Sequence, residues 1–227
     1  MPYAKDGEEK RVMTVQRVGG LAMAAMLCLA TTEARAVPSS RTERNGSIAI
    51  AGGAGYGIIT GDSRFGSEFD QGLGIDILLR YVLGPHWSMG LGFQSQVYDA
   101  TPEAQTANGE EKLQITDIRF DTYYYRDRSK DASQYLVLGL GMYRPEIHYQ
   151  EEGTVSFPGE NLELSFGMGA EIFIGETWGL ELAGRAIGYF GNGLTQEEEA
   201  DPDIAPPTGS VALGLRGQAG VFFYILR

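Results

Sequence analysis

Strict alternation of apolar and polar side chains, over a length that soluble strands rarely need, is the strongest constraint on this chain. It is clearest in residues 161–190. Leu162, Leu164, Phe166, Met168, Ala170, Ile172 and Ile174 occupy the even positions of a first arm, and Glu163, Ser165, Gly167, Gly169 and Glu171 the odd ones. A period of two means a strand with one apolar and one polar face. After the tight turn Gly175-Glu176-Thr177 a second arm repeats the pattern, with Trp178, Leu180, Leu182, Ala186 and Phe190 on one face and Glu181 and Arg185 on the other. Arms of this length suit tilted strands that cross a bilayer.

Six further segments show the same period, at about 46–59, 72–83, 87–98, 113–126, 134–143 and 210–227. The connections between the eight segments run long, short, long, short, long, short, long. Short turns therefore gather at one rim and long loops at the other, the pattern of an all-β, eight-stranded, antiparallel up-and-down transmembrane β-barrel. Thirty-two glycines, many inside the alternating segments, fit strands that curve and pack closely. Trp87 and Trp178 each follow a short turn, where an interfacial aromatic belt is expected, and Tyr123, Tyr124 and Tyr125 beside another short turn are assigned to the same belt. Two stretches disturb the pattern. Leu113 and Ile115 fall on the polar face of the fourth segment, which marks an end projecting beyond the apolar layer or a bulge. Pro145 breaks the fifth segment.

Residues 1–36 read as a secretory signal peptide: Lys10, Arg11 and Arg17 precede an apolar run at 18–29, and Ala34-Arg35-Ala36 is a cleavage site. Glu8 and Glu9 make an odd start to a leader and point to Met13 as the true first residue. Residues 37–45 form a flexible lead-in and residues 46–227 the barrel domain. The single cysteine, Cys28, lies in the leader, so the mature chain is expected to have no disulfide and no thiol chemistry. Its 191 residues fit one domain and carry 26 acids against 13 bases. A formal charge of about −13 argues against a nucleic-acid surface.

Alternation alone leaves open which face points inward, since a secreted ligand carrier would enclose the apolar one. Volume decides. Each segment offers about four to six large apolar side chains, whereas an eight-stranded barrel is only just filled by its own inward side chains. The Gly-rich, partly charged face therefore goes inside and the apolar face meets lipid, where closure also removes strand edges that would cost several kcal/mol per unpaired group. On topology, leader and alternation over 46–227 the chain resembles the OmpA-type and OmpX-type outer-membrane barrels. The resemblance implies the bacterial outer membrane, contact with its lipid including lipopolysaccharide, and handling by the barrel-assembly machinery. Barrels of that type usually end on an aromatic residue, whereas here Phe222-Phe223-Tyr224 is followed by Ile225-Leu226-Arg227.

The inward face collects Asp76, Arg80, Asp117, Arg119, Asp121, Glu163, Glu171, Glu181, Arg185 and Arg216. Unpaired buried charge is costly, so the arginines are expected to bridge carboxylates of neighbouring strands, with Arg185 and Arg216 near Glu181 and Glu171. Six acids against four arginines would favour cations along any open path. Two functions of different class follow. One is a plugged, structural barrel that serves envelope integrity and leaves its loops free for adhesion or recognition of an unknown ligand. The other is a narrow porin or carrier for ions or small solutes. A lipid-modifying enzyme would need a histidine with a serine or acid at the rim; His148 with Ser156 is the only candidate, and no motif accompanies it. No catalytic, cofactor or metal site is expected. The acidic run at 196–203 reads as a solvated loop, with weak capture of divalent cations as the alternative.

Overall fold

The computed structural model describes residues 44–61, 64–108, 110–128, 131–149, 153–156, 161–191 and 211–225. The signal peptide, the lead-in as far as residue 43, the acidic run at 196–203 and Arg227 lie outside them. In chain order the elements are β1 (Ile48–Thr60), α1 (Arg64–Glu68), β2 (Phe69–Val82), β3 (Trp87–Ala100), α2 (Pro102–Asn108), β4 (Glu110–Arg128), β5 (Ala132–Tyr149), β6 (Gly153–Ser156), β7 (Asn161–Phe173), β8 (Trp178–Gly191) and β9 (Ala212–Ile225).

Eight of the strands form one closed antiparallel ring. Successive strands pair in the order β1, β2, β3, β4, β5, β7, β8, β9, and β9 returns to β1. The short β6 only extends the outer end of β5. Paired residues traced once round the ring from Ala49 run through Arg80, Gly90, Asp121, Gly139, Ser165, Ile187 and Gly214 and come back to β1 at Ile59, ten residues further on. Such a stagger corresponds to strands tilted by roughly 35–45°. Tilted strands of 13 or 14 residues then rise about as far as the ~25 Å apolar band of a membrane barrel.

The two faces separate as the alternation requires. Large apolar side chains such as Leu73, Ile75, Leu91, Ile118, Leu138, Phe166 and Leu215 stand on the exterior, each 50% exposed or close to it. The charged positions of the same strands are buried. No helix among the described residues is long and apolar enough to cross a membrane. β4 and β5, at 19 and 18 residues, outreach their neighbours. At their outer ends the outward face turns polar, with Lys112 and Arg144 exposed.

Two expectations need correction, those for Pro145 and for the tyrosines, and a third is borne out. Pro145 does not end the fifth strand. It lies between Met142, the last residue of β5 paired with β7, and Glu146, the first paired with β6, a gap in the ladder where a residue without an N–H is tolerated. The outer end of β4 does run past the apolar layer, since Lys112, Gln114 and Thr116 line its outward face, and Leu113 and Ile115 on the other face turn inward. Both are fully buried inside the barrel, paired with β3 and β5, and the register shift lies further out, between Glu110 and Lys112. Tyr123 and Tyr125 also point inward and are fully buried; only Tyr124 faces out.

Glycines provide the room for this interior. Gly139 of β5 lies against the carboxylate of Asp121 and the hydroxyl of Ser165, where a Cβ would collide with both. Gly139→Val is therefore expected to overpack the lumen at a cost of roughly 1–3 kcal/mol, read as a lower urea midpoint in detergent. Gly61 ends β1 with a φ of 127° and turns the chain toward α1.

Candidate functional site

The lumen is stacked in three levels. At the short-turn end Val82, Tyr123, Tyr125, Tyr135, Val137, Phe222 and Tyr224 form a buried cluster, with Phe173 against it. At the long-loop end a second cluster joins Ile59, Phe65, Phe69, Tyr98, Leu113, Ile115, Ile147 and Tyr189. Phe65 comes from α1 and Ala104 of the same cluster from α2, so both short helices fold over the mouth. Charged side chains occupy the space between.

Two arginines act as hubs. Arg80 pairs with Glu171 through Nη1 and with Glu181 through Nη2 at 2.8 Å, and it donates from Nη1 to the Tyr125 hydroxyl at 2.6 Å. The tyrosines solvate these carboxylates: Tyr125 donates to Glu171 at 2.7 Å, Tyr224 to the same group at 3.1 Å, and Tyr135 to Glu181. The Arg80 guanidinium also lies 4.2 Å from the centre of the Tyr123 ring. Arg119 pairs with Asp76, with Asp117 at 3.1 Å and with Asp121 at 3.3 Å, and donates to Gln94 at 2.8 Å. Arg185 grips Asp121 with both terminal nitrogens, at 2.9 and 2.7 Å, and Tyr123 adds a donor to the same carboxylate at 2.9 Å.

These partners differ from the expected ones. Glu171 and Glu181 are held by Arg80 from β2, not by Arg185 or Arg216, because the bonds run across the lumen rather than along the wall. Arg185 and Arg216 face each other in the β8–β9 ladder, and like charges so placed turn apart. Arg185 goes to Asp121, whereas Arg216 lies along β1 in the space left by Gly55. The Arg216 guanidinium makes no hydrogen bond among the described residues: neither its Nε nor its two Nη atoms have a partner there. Glu163, 1% exposed, likewise has no ion pair among them.

The tyrosine hydroxyls are the functional groups that the sequence pattern did not reveal. A usable signal existed: Tyr123 and Tyr125 share parity with Asp117, Arg119 and Asp121, which places all five on one face of β4. Trp87 and Trp178 stand on the outside at the short-turn rim, 50% and 42% exposed, and the Trp87 ring packs 5.1 Å from Tyr124. His86 Nδ1 lies 2.9 Å from the Tyr125 carbonyl oxygen, and His148 Nδ1 lies 2.9 Å from the Thr154 hydroxyl. The Ser156 side chain lies outside the described residues.

Comparison with known proteins agrees with this geometry. Residues 20–205 match a family described as outer membrane protein beta-barrel domain. Among solved structures, Neisserial surface protein A is 14% identical over 78% of this chain and 96% of that one, with a TM-score of 0.54. Outer membrane protein AlkL, solved in lipid bilayers, is 11% identical over 87% of this chain and 98% of that one, with a TM-score of 0.50. At such identities the likeness bears on fold alone. No curated protein matches the chain.

Proposed function

Because the chain belongs to the outer membrane protein beta-barrel domain family, we propose that it is a non-enzymatic barrel of the bacterial outer membrane whose plugged lumen serves mechanical integrity of the envelope. Its outer loops are then free for adhesion or recognition. Three successive layers of inward side chains support this reading: the tyrosine cluster, the arginine–carboxylate layer and the apolar cluster under α1 and α2. A solute would have to push through a pair of packed aromatic clusters and break several charge-assisted bonds, each made in a medium of low dielectric. Outside, the apolar side chains meet lipid, lipopolysaccharide included. Trp87 and Trp178 anchor the short-turn rim at the interface, and the assembly machinery delivers the chain after its leader is removed.

Planar-bilayer recording tests the plug. The purified barrel is expected to show no discrete openings over the voltage range in which porins conduct. Stepwise currents that change on Arg185→Ala would replace this reading with a narrow ion path, cation-selective because six carboxylates outnumber four arginines in the lumen.

A further inference from the structure

Among the described residues Glu163 is the one lumen carboxylate without an arginine, and it stands in an oxygen-rich corner. In the ladder Asp117 of β4 lies opposite Tyr143 of β5, and Glu163 of β7 lies opposite Tyr189 of β8. Four oxygen-bearing side chains therefore face inward from four consecutive strands of the ring. On β5, Gly141 pairs with Glu163 on one side and with Arg119 on the other, and it adds no side chain of its own to the corner. All four groups are more than nine-tenths buried. Asp117 Oδ2, Glu163 Oε2 and the Tyr143 phenol oxygen make no hydrogen bond among the described residues. The Tyr189 phenol has that of Tyr98 beside it. The rings of Tyr143 and Tyr189 meet at 5.0 Å, and both phenols feel the charge of Glu163.

The charge acting most strongly on Glu163 is that of Asp117, which has the same sign. Arg119 already divides itself among Asp76, Asp117 and Asp121, and Arg185 is committed to Asp121. Arg216 lies against Gly55, with Asp76 as its strongest acidic neighbour. Two buried carboxylates on either side of β5, each with a free oxygen, would be relieved by a positive guest. Hard cations take such oxygen ligands, whereas a water molecule would leave the repulsion in place. We propose that Glu163 and Asp117, with the oxygens of Tyr143 and Tyr189, bind one hard divalent cation of the calcium or magnesium type inside the barrel.

Terbium is a suitable probe, being an oxygen-seeking ion close to calcium in size whose emission is excited through nearby tyrosine rings. The full chain is folded into detergent with terbium and then washed with chelator to strip ions from the acidic loops. The folded protein is expected to retain about one ion per chain and to emit on tyrosine excitation. Glu163→Gln is expected to retain none. In metal-free buffer the same variant should melt at a higher temperature than the parent, because the amide carries no charge that needs a guest; calcium should then raise the melting temperature of the parent alone. Folded parent protein that retains no ion overturns the proposal, as does a Glu163→Gln variant that retains as much. A metal-free parent as heat-stable as Glu163→Gln also overturns it, since a proton would then suffice. None of these outcomes depends on whether the lumen conducts.

Discussion

Arg119→Ala is expected to abolish the folded barrel, seen as loss of the band that migrates differently before and after boiling. One guanidinium serves Asp76, Asp117, Asp121 and Gln94, and its side chain is 1% exposed. Removing one partner of a buried pair costs about 3–5 kcal/mol, because the charge left behind has neither water nor counter-ion. Here three carboxylates are left, only one of which keeps a second arginine. Native domains hold a margin of about 5–15 kcal/mol, so the loss consumes most or all of it. Arg144→Ala supplies the contrast. Arg144 pairs with Glu146 at 3.2 Å but its side chain is 64% exposed, and its removal should change the unfolding free energy, measured by urea titration, by no more than about 0.5 kcal/mol. If repulsion among orphaned carboxylates is the cause, Arg119→Met combined with Asp76→Asn, Asp117→Asn and Asp121→Asn should recover part of the folded band. Equal folding of Arg119→Ala and Arg144→Ala would mean that water fills the lumen and solvates the acids.

That sensitivity follows from features that are unevenly legible in the sequence. Which residues of β7, β8 and β9 face inward can be read directly, because one-face burial and a period of two leave no freedom of register. Eight-strand closure also follows, from the turn lengths. Partner choice does not. Arg80 reaches Glu171 and Glu181 across the lumen, and such contacts depend on barrel diameter and stagger, which no local pattern encodes. Aromatic residues mislead in a different way. An inward tyrosine of the floor and an outward tyrosine of a belt are the same residue type near the same rim, so Tyr123 and Tyr124 differ only in parity. At the other end Leu113 and Ile115 break the polar-inside rule because the interior there is packed with apolar side chains rather than with ion pairs. α1 and α2 are too short, at five and seven residues, for helical periodicity to declare itself.

Charge placed on the outer face should be penalised according to depth. Leu140, on the outer face of β5, is 53% exposed and paired with Phe120 and Leu164, apolar residues of both neighbouring strands. Ile174 is 55% exposed but sits in the short turn between β7 and β8. In water the two positions would be nearly equivalent. In a bilayer Leu140→Arg is expected to cost roughly 2–4 kcal/mol and Ile174→Arg about 0–1 kcal/mol, because a guanidinium at the rim reaches the headgroups whereas one at mid-depth must distort the lipid around it. Folding into lipid vesicles from urea, followed by the gel shift, measures both. The same pair separates the membrane barrel from a water-soluble carrier of similar topology. A soluble barrel with a lipid-like exterior would aggregate through its apolar band, and Leu140→Arg would then improve its recovery without detergent. A membrane barrel loses stability in vesicles with the same substitution, so the sign of the Leu140 effect decides which solvent this outer face is built for.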